Sequence, residues 1–148
     1  VAFSIFLTLA FLTGLIIPVQ IGVNSSMGRW AGNILAGAAV NFSTGLALLT
    51  GYFLLARPAM APLGHWFQAP WYFWTGGLMG TLIVTSGLVI SPRIGAATFM
   101  GILIAGQLTG SMILDHFGLL GFPVIRMSLS RVAGAGLLLL GVYLIRRG

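Results

Sequence analysis

The sequence predicts an all-α membrane protein of five transmembrane helices, and three observations carry that reading. Of its 148 residues 58% are hydrophobic and only 5% charged, too few charges to clothe a water-soluble domain of this size. The apolar residues gather into five runs, each near the roughly 20 residues needed to cross a ~30 Å hydrocarbon core. The seven arginines lie between those runs or at their ends, where topology signals belong.

The first run covers residues 1–23. It is too long for the apolar core of a signal peptide and has no basic stretch before it, so a retained helix is expected. The second covers 31–56. A loop, RPAMAPLGHWFQAP, follows with three of the six prolines, which cannot continue a helix. The third run, 71–91, opens on WYFW, an aromatic belt that marks entry through the membrane interface. The fourth covers 94–114 and the fifth 129–145. Together they make a single five-helix domain spanning 1–148.

Charge excludes one class of partner and leaves topology open. A net charge of +6 could suggest nucleic acid. Yet the arginines are scattered, with no basic patch interleaved with aromatics to track phosphates. Arg29, Arg93, Arg146 and Arg147 share one side of the membrane by alternation of the spans; Arg57, Arg126 and Arg131 share the other. Four against three gives the positive-inside rule almost nothing to act on. Both orientations, with antiparallel pairing, are therefore open, as is a single topology decided by one arginine.

Catalytic chemistry finds no constellation. His65 and His116 are the only histidines and cysteine is absent. No G-x-S-x-G, phosphate-binding loop or clustered metal ligands occur. Neither an enzyme nor a bound metal or cofactor is expected.

Polar groups inside the runs carry the functional reading, because an unsatisfied amide in hydrocarbon turns toward other helices or a cavity. Gln20 and Asn24 are four apart, on one face of the first helix. Pro18 removes a backbone donor and crowds the Gly14 carbonyl, so a kink is expected there. Asn33, Gly37, Asn41 and Gly45 recur every four residues along the second run. Thr81 and Thr85 share a face of the third, and Gln107 and Ser111 share one of the fourth. Such amides can be interhelical glue worth about 0.6 kcal/mol each. Five of them on three helices, with a kink, exceed what packing needs. Gln20, Asn24, Asn41, Thr85 and Gln107 are the candidate pathway residues. Arg93 in the SPRIG turn and the Asp115-His116 pair closing the fourth helix are candidate gating groups. Gly76-xxx-Gly80 and Gly106-xxx-Gly110 have the small-residue spacing of close helix packing.

PVQIGVNSSMG in the first run, PRIGAATFMGILIAGQLTGSMILDHFGLLGFP across the third to fifth, and RVAGAGLLLLGVYLI at the end resemble the YdcZ-type family of small bacterial inner-membrane proteins. That family belongs to the drug/metabolite transporter superfamily. The resemblance covers nearly the whole chain. It implies half of a ten-helix inverted-repeat transporter, working as an antiparallel dimer. A second copy or a homologous five-helix partner would lie in the opposite orientation. Helices one to four would line the path and the fifth would scaffold the dimer. Small multidrug-resistance relatives carry a glutamate in the first helix; here Thr13, Gln20 and Asn24 stand in that region without an acid, against glutamate-style proton antiport. Two readings follow. One is a secondary transporter or exporter of a neutral, zwitterionic or weakly cationic solute by alternating access. The other is a non-transporting assembly or regulatory subunit.

Overall fold

The computed structural model describes residues 2–147, so Val1, the first residue of the first expected span, lies outside it. The described chain is helical: α1 (Ala2–Trp30), α2 (Ile34–Ala56), a single turn α3 (Leu63–Trp66), a 3₁₀ turn (Trp71–Trp74), α4 (Thr75–Ile94), α5 (Ala96–Phe117), a second 3₁₀ turn (Leu119–Gly121) and α6 (Leu129–Arg147). Five stretches are long and apolar enough to cross a membrane: Phe3–Trp30, Ile34–Ala56, Trp71–Ile94, Ala96–Phe117 and Leu129–Arg147.

Helix ends explain where these bounds depart from the sequence-based ones. The first helix runs on through Asn24, Ser25 and Ser26 to Trp30. It stops at Gly32, whose φ of 72° is left-handed. The Asn33 N–H reaches the Gly28 carbonyl (3.0 Å) and the Gly32 N–H the Arg29 carbonyl (3.2 Å). This is the Schellman pattern, and glycine supplies the left-handed residue it needs. Asn33 then caps α2, its side-chain oxygen accepting the Leu35 N–H at 2.9 Å. The every-fourth-residue stripe therefore begins outside the helix: Asn33 is a cap. At the far end Arg57 turns left-handed before Pro58, which bars its predecessor from helical geometry. The helix α4 continues three residues past the expected end, carrying Pro92 in its last turn, and α5 starts after Gly95 (φ 87°).

The chain forms two compact units, Val1–Ile90 and Ser91–Gly148. In the first, α1 and α2 make a hairpin whose backbones touch. A Cβ on Gly37 would stand 2.1 Å from the Asn24 carbonyl oxygen, and one on Gly28 would stand 2.9 Å from the Ile34 Cα. In the second unit α6 lies on α5, with Val142 filling the space a Cβ on Gly101 would take (2.6 Å). The small-residue pairs singled out by spacing behave differently. Nothing lies within 4 Å of a Cβ at Gly76, Gly106 or Gly110, and only the Phe42 ring at 3.9 Å meets Gly80. Close approach here rests on lone glycines facing backbone or a β-branched side chain.

The pattern of burial fits a membrane setting. The buried hydrophobic residues are Ala38, Leu88, Phe99, Ala105 and Met112, while residues as large as Phe6, Leu55 and Leu137 stand mostly exposed. In water such a surface would drive aggregation; in a bilayer it is the wetted one.

Gly37→Ala is expected to lower stability by ~1–3 kcal/mol, the usual cost of overpacking. A reduced thermal midpoint of helical circular dichroism in detergent would register it. Gly76→Ala should leave that midpoint unchanged.

Candidate functional site

On α1, Gln20, Asn24 and Gly28 follow one another at single-turn intervals; on α2, Ile34, Gly37 and Asn41 run the opposite way. The hairpin pairs Gly28 with Ile34 and Asn24 with Gly37 by backbone contact. One turn further, Gln20 comes level with Asn41. There the side chains meet: the Gln20 Nε2 donates to the Asn41 Oδ1 at 2.8 Å, and the Asn24 Nδ2 donates to the same oxygen at 3.1 Å. Three of the five predicted pathway residues thus form one cluster.

Hydrogen-bond capacity defines what that cluster can do. A carbonyl oxygen has two lone pairs, and both of Asn41's are filled. Asn41 therefore has its amide NH₂ left to offer, while Gln20 Oε1 and Asn24 Oδ1 remain as acceptors. Asn24 is buried at 8% exposure, Asn41 is half-buried and Gln20 is exposed, so polarity grades from the hairpin interior outward. One turn beyond Asn41, a Cβ at Gly45 would meet nothing within 4 Å among the described residues. An open groove of about 560 Å³ begins there, lined by Gln20, Asn41, Phe42, Thr44, Leu46 and Leu49 among others. Its lining holds amides, a hydroxyl, a ring and leucines, without a charged side chain. The Thr44 hydroxyl donates back to the Val40 carbonyl at 2.9 Å, which leaves its lone pairs toward the groove.

Pro18 stands half a turn from Gln20 inside an unbroken α1, and its missing N–H leaves the Gly14 carbonyl without the usual donor. Ser25 was not anticipated. It is 3% exposed, and its Oγ has no partner among the described residues. Its neighbour Asn24 was the only sequence signal there, because a helical serine ordinarily satisfies itself on its own backbone.

The other two candidates share no hydrogen bond with this cluster among the described residues. The Thr85 hydroxyl, half-buried on α4, makes no hydrogen bond among the described residues, whereas Thr81 donates to the Gly77 carbonyl at 2.9 Å. Gln107 belongs to the second unit. It lies at the middle of α5, exposed and without a hydrogen bond among the described residues. Arg93, in the last turn of α4, likewise has no partner there.

Asp115 and His116 do find partners. The Asp115 carboxylate pairs with Arg131 of α6 (Oδ2 to Nη2, 2.5 Å). A second Arg131 nitrogen donates to the Ile125 carbonyl (3.2 Å), and the Ile125 N–H reaches back to the Asp115 carbonyl (2.9 Å). His116 accepts the Met127 N–H on Nδ1 at 3.1 Å. Gly118 permits the return of the chain, with φ 61° and Val124 2.6 Å from where a Cβ would be. The segment between α5 and α6 is clasped to the end of α5. Arg131 had been read only as a topology charge. The signal available was that the chain's sole acid must find a cation when half buried.

Among the described residues no three His, Cys, Asp or Glu side chains group as metal ligands.

Replacing Arg131 by leucine should cost about 1–3 kcal/mol, between the values for exposed and buried ion pairs. It should also speed trypsin cleavage after Arg126 in the freed segment, and the exchange Asp115→Arg with Arg131→Asp should restore part of the resistance.

Residues 5–144 match the family described as "Putative inner membrane exporter, YdcZ". The chain is similar to the Inner membrane protein YdcZ of Escherichia coli (strain K12), 31% identical over 144 residues, covering 95% of each chain. No solved structure matches the chain significantly.

Proposed function

The chain belongs to the YdcZ family of multi-pass inner-membrane proteins, and from that premise we propose that it exports a small neutral, zwitterionic or weakly cationic solute through a path begun by the Gln20–Asn24–Asn41 cluster. One observation carries the proposal: Asn41 spends its carbonyl on two neighbouring amides and keeps its NH₂ free at the mouth of an uncharged groove. A groove of that volume falls in the range for small-molecule sites, apolar walls with few polar groups. Lacking a charged partner, it would strand an anion or a strong cation with an unmet desolvation penalty. A solute with a carbonyl or hydroxyl facing Asn41 and an apolar body along Phe42 and Leu49 meets none.

In the mechanism we favour, two copies lie in opposite orientations and the solute selects between two packings of the pair. The near balance of arginines permits both orientations. The groove's open side would be closed by other protein, which a pathway requires and a lipid-facing amide does not favour. Gln107 and Thr85, without internal partners, are further pathway candidates. Arg93 and the Asp115-His116 clasp remain candidates for gating.

A second reading is favoured by the same hydrogen bonds. Three amides that satisfy one another are also what interhelical glue looks like, and a non-transporting assembly subunit needs nothing more.

Transport separates the two. Solutes that raise the thermal midpoint of the purified protein identify ligands, and their efflux from proteoliposomes can then be followed. Asn41→Leu is expected to reduce efflux at least tenfold, the effect of losing about 1.4 kcal/mol or more of solute interaction. Normal efflux by a folded Gln20→Leu, Asn24→Leu double variant would assign the amides to packing.

Orientation has its own test, made simple by a chain without cysteine. Ala59→Cys, in the segment after α2, should be labelled by an impermeant thiol reagent from both faces of the inner membrane in comparable amounts. Labelling from one face alone would remove the homodimeric inverted pair.

A further inference from the structure

We propose that the segment joining α2 to α4 is a phospholipid site, with the lipid phosphodiester held by His65, Gln68 and Trp74. The site is an open cleft of about 600 Å³, lined by His65, Trp66, Gln68, Pro70, Phe73 and Trp74 among others. It lies wholly within the first unit and away from the amide cluster's groove, and it stands whichever solute is carried.

The walls are fixed by the segment's own bonds. The Trp66 indole N–H donates to the Ala61 carbonyl at 3.0 Å. The Ala69 N–H reaches the Trp66 carbonyl (3.1 Å) and the Phe73 N–H the Pro70 carbonyl (3.0 Å). Phe73 sits edge-on to Tyr72, ring centres 4.9 Å apart.

Three exposed polar groups line the cleft without a protein partner among the described residues. The His65 imidazole, the Gln68 amide and the Trp74 indole N–H make no hydrogen bond among the described residues. Between them they offer at least four N–H donors. No carboxylate occurs anywhere in residues 1–90, so nothing there competes for these donors or repels an anion. The complementary ligand group is acceptor-rich, and because this cleft is exposed an anion there keeps part of its water, unlike a solute drawn into the uncharged pathway groove.

Position supplies the rest of the ligand. The segment follows one membrane-spanning stretch, Ile34–Ala56, and runs into the next, Trp71–Ile94, to which Phe73 and Trp74 belong. Three of the four tryptophans fall between residues 66 and 74, and tryptophan settles at headgroup depth. An anionic, acceptor-rich group attached to an apolar body at that depth is a phospholipid. The volume suits its head and glycerol region, with the acyl chains leaving along Phe73 and Pro70 into the bilayer.

The test uses the full chain carrying Trp30→Phe and Trp71→Phe, so that Trp66 and Trp74 are the reporting indoles. In detergent micelles it is titrated with phosphatidylglycerol brominated on its acyl chains. Quenching should saturate near one lipid per chain. His65→Leu with Gln68→Leu should move the midpoint about tenfold or more, as expected for two lost bonds to a charged acceptor. Brominated diacylglycerol, with the same chains and no phosphate, should quench without saturating. Quenching that rises linearly and ignores the headgroup would overturn the site, leaving ordinary solvation by lipid. Complete displacement of the quencher by glycerol 3-phosphate would overturn the lipid assignment in favour of a soluble phosphate. The headgroup comparison uses an unaltered cavity, so it decides the matter even where the leucine variant does not fold.

Discussion

Gly37 against the Asn24 carbonyl is the contact on which the first unit depends. With no side chain at that point, the two backbones close to a separation that any Cβ would forbid. That separation sets the register: one turn along, Asn41 reaches both Gln20 and Asn24 with a single oxygen. Another turn along, Gly45 lines the open groove, with nothing within 4 Å of where its Cβ would be. Packing, polar cluster and cavity are therefore three stations along one hairpin, tight at the Gly32–Asn33 turn and open toward its far end. Small residues at helix crossings act this way in membranes because van der Waals contact, rather than water expulsion, holds helices together.

The second unit is organised by charge at its rim. Its lone acid and a single arginine join α5 to α6 across an eleven-residue segment, with Ile125 bonded at both its N–H and its carbonyl. A pair that is 30% and 17% exposed sits where water thins out, so its attraction is screened less than on an open surface. The arrangement gives Asp115 a structural occupation that a gating role must share. Opening that segment means giving up the ion pair and the His116 bond together.

Much of the architecture was legible in residue order. The five spans follow from run length and the absence of charge, because hydrocarbon allows nothing else to cross it unpaired. Gln20 with Asn24, and Asn41 within its own stripe, were visible as amides on helical faces. What spacing misjudged were partners. Gly106-xxx-Gly110 has the spacing of a helix contact, yet among the described residues nothing lies within 4 Å of a Cβ at either, while Gly37, Gly28 and Gly101 each make the tight approach alone. Asn33 fits the stripe by number yet caps the helix, since the turn at Gly32 starts α2 at Ile34, three residues after the run begins. Arg131 carries the same charge as every other arginine here; its pairing depends on a turn that brings α6 back past Asp115.

Composition and periodicity thus determined the solvent, the number of crossings and the candidate amides, because these depend on each residue's own transfer free energy and its helical phase. The tertiary structure alone decided which amides meet, which glycines bear contact and where the single acid discharges itself. Those outcomes depend on the crossing point of two helices. That point is set by the few atoms that happen to be missing there, such as the Cβ of Gly37.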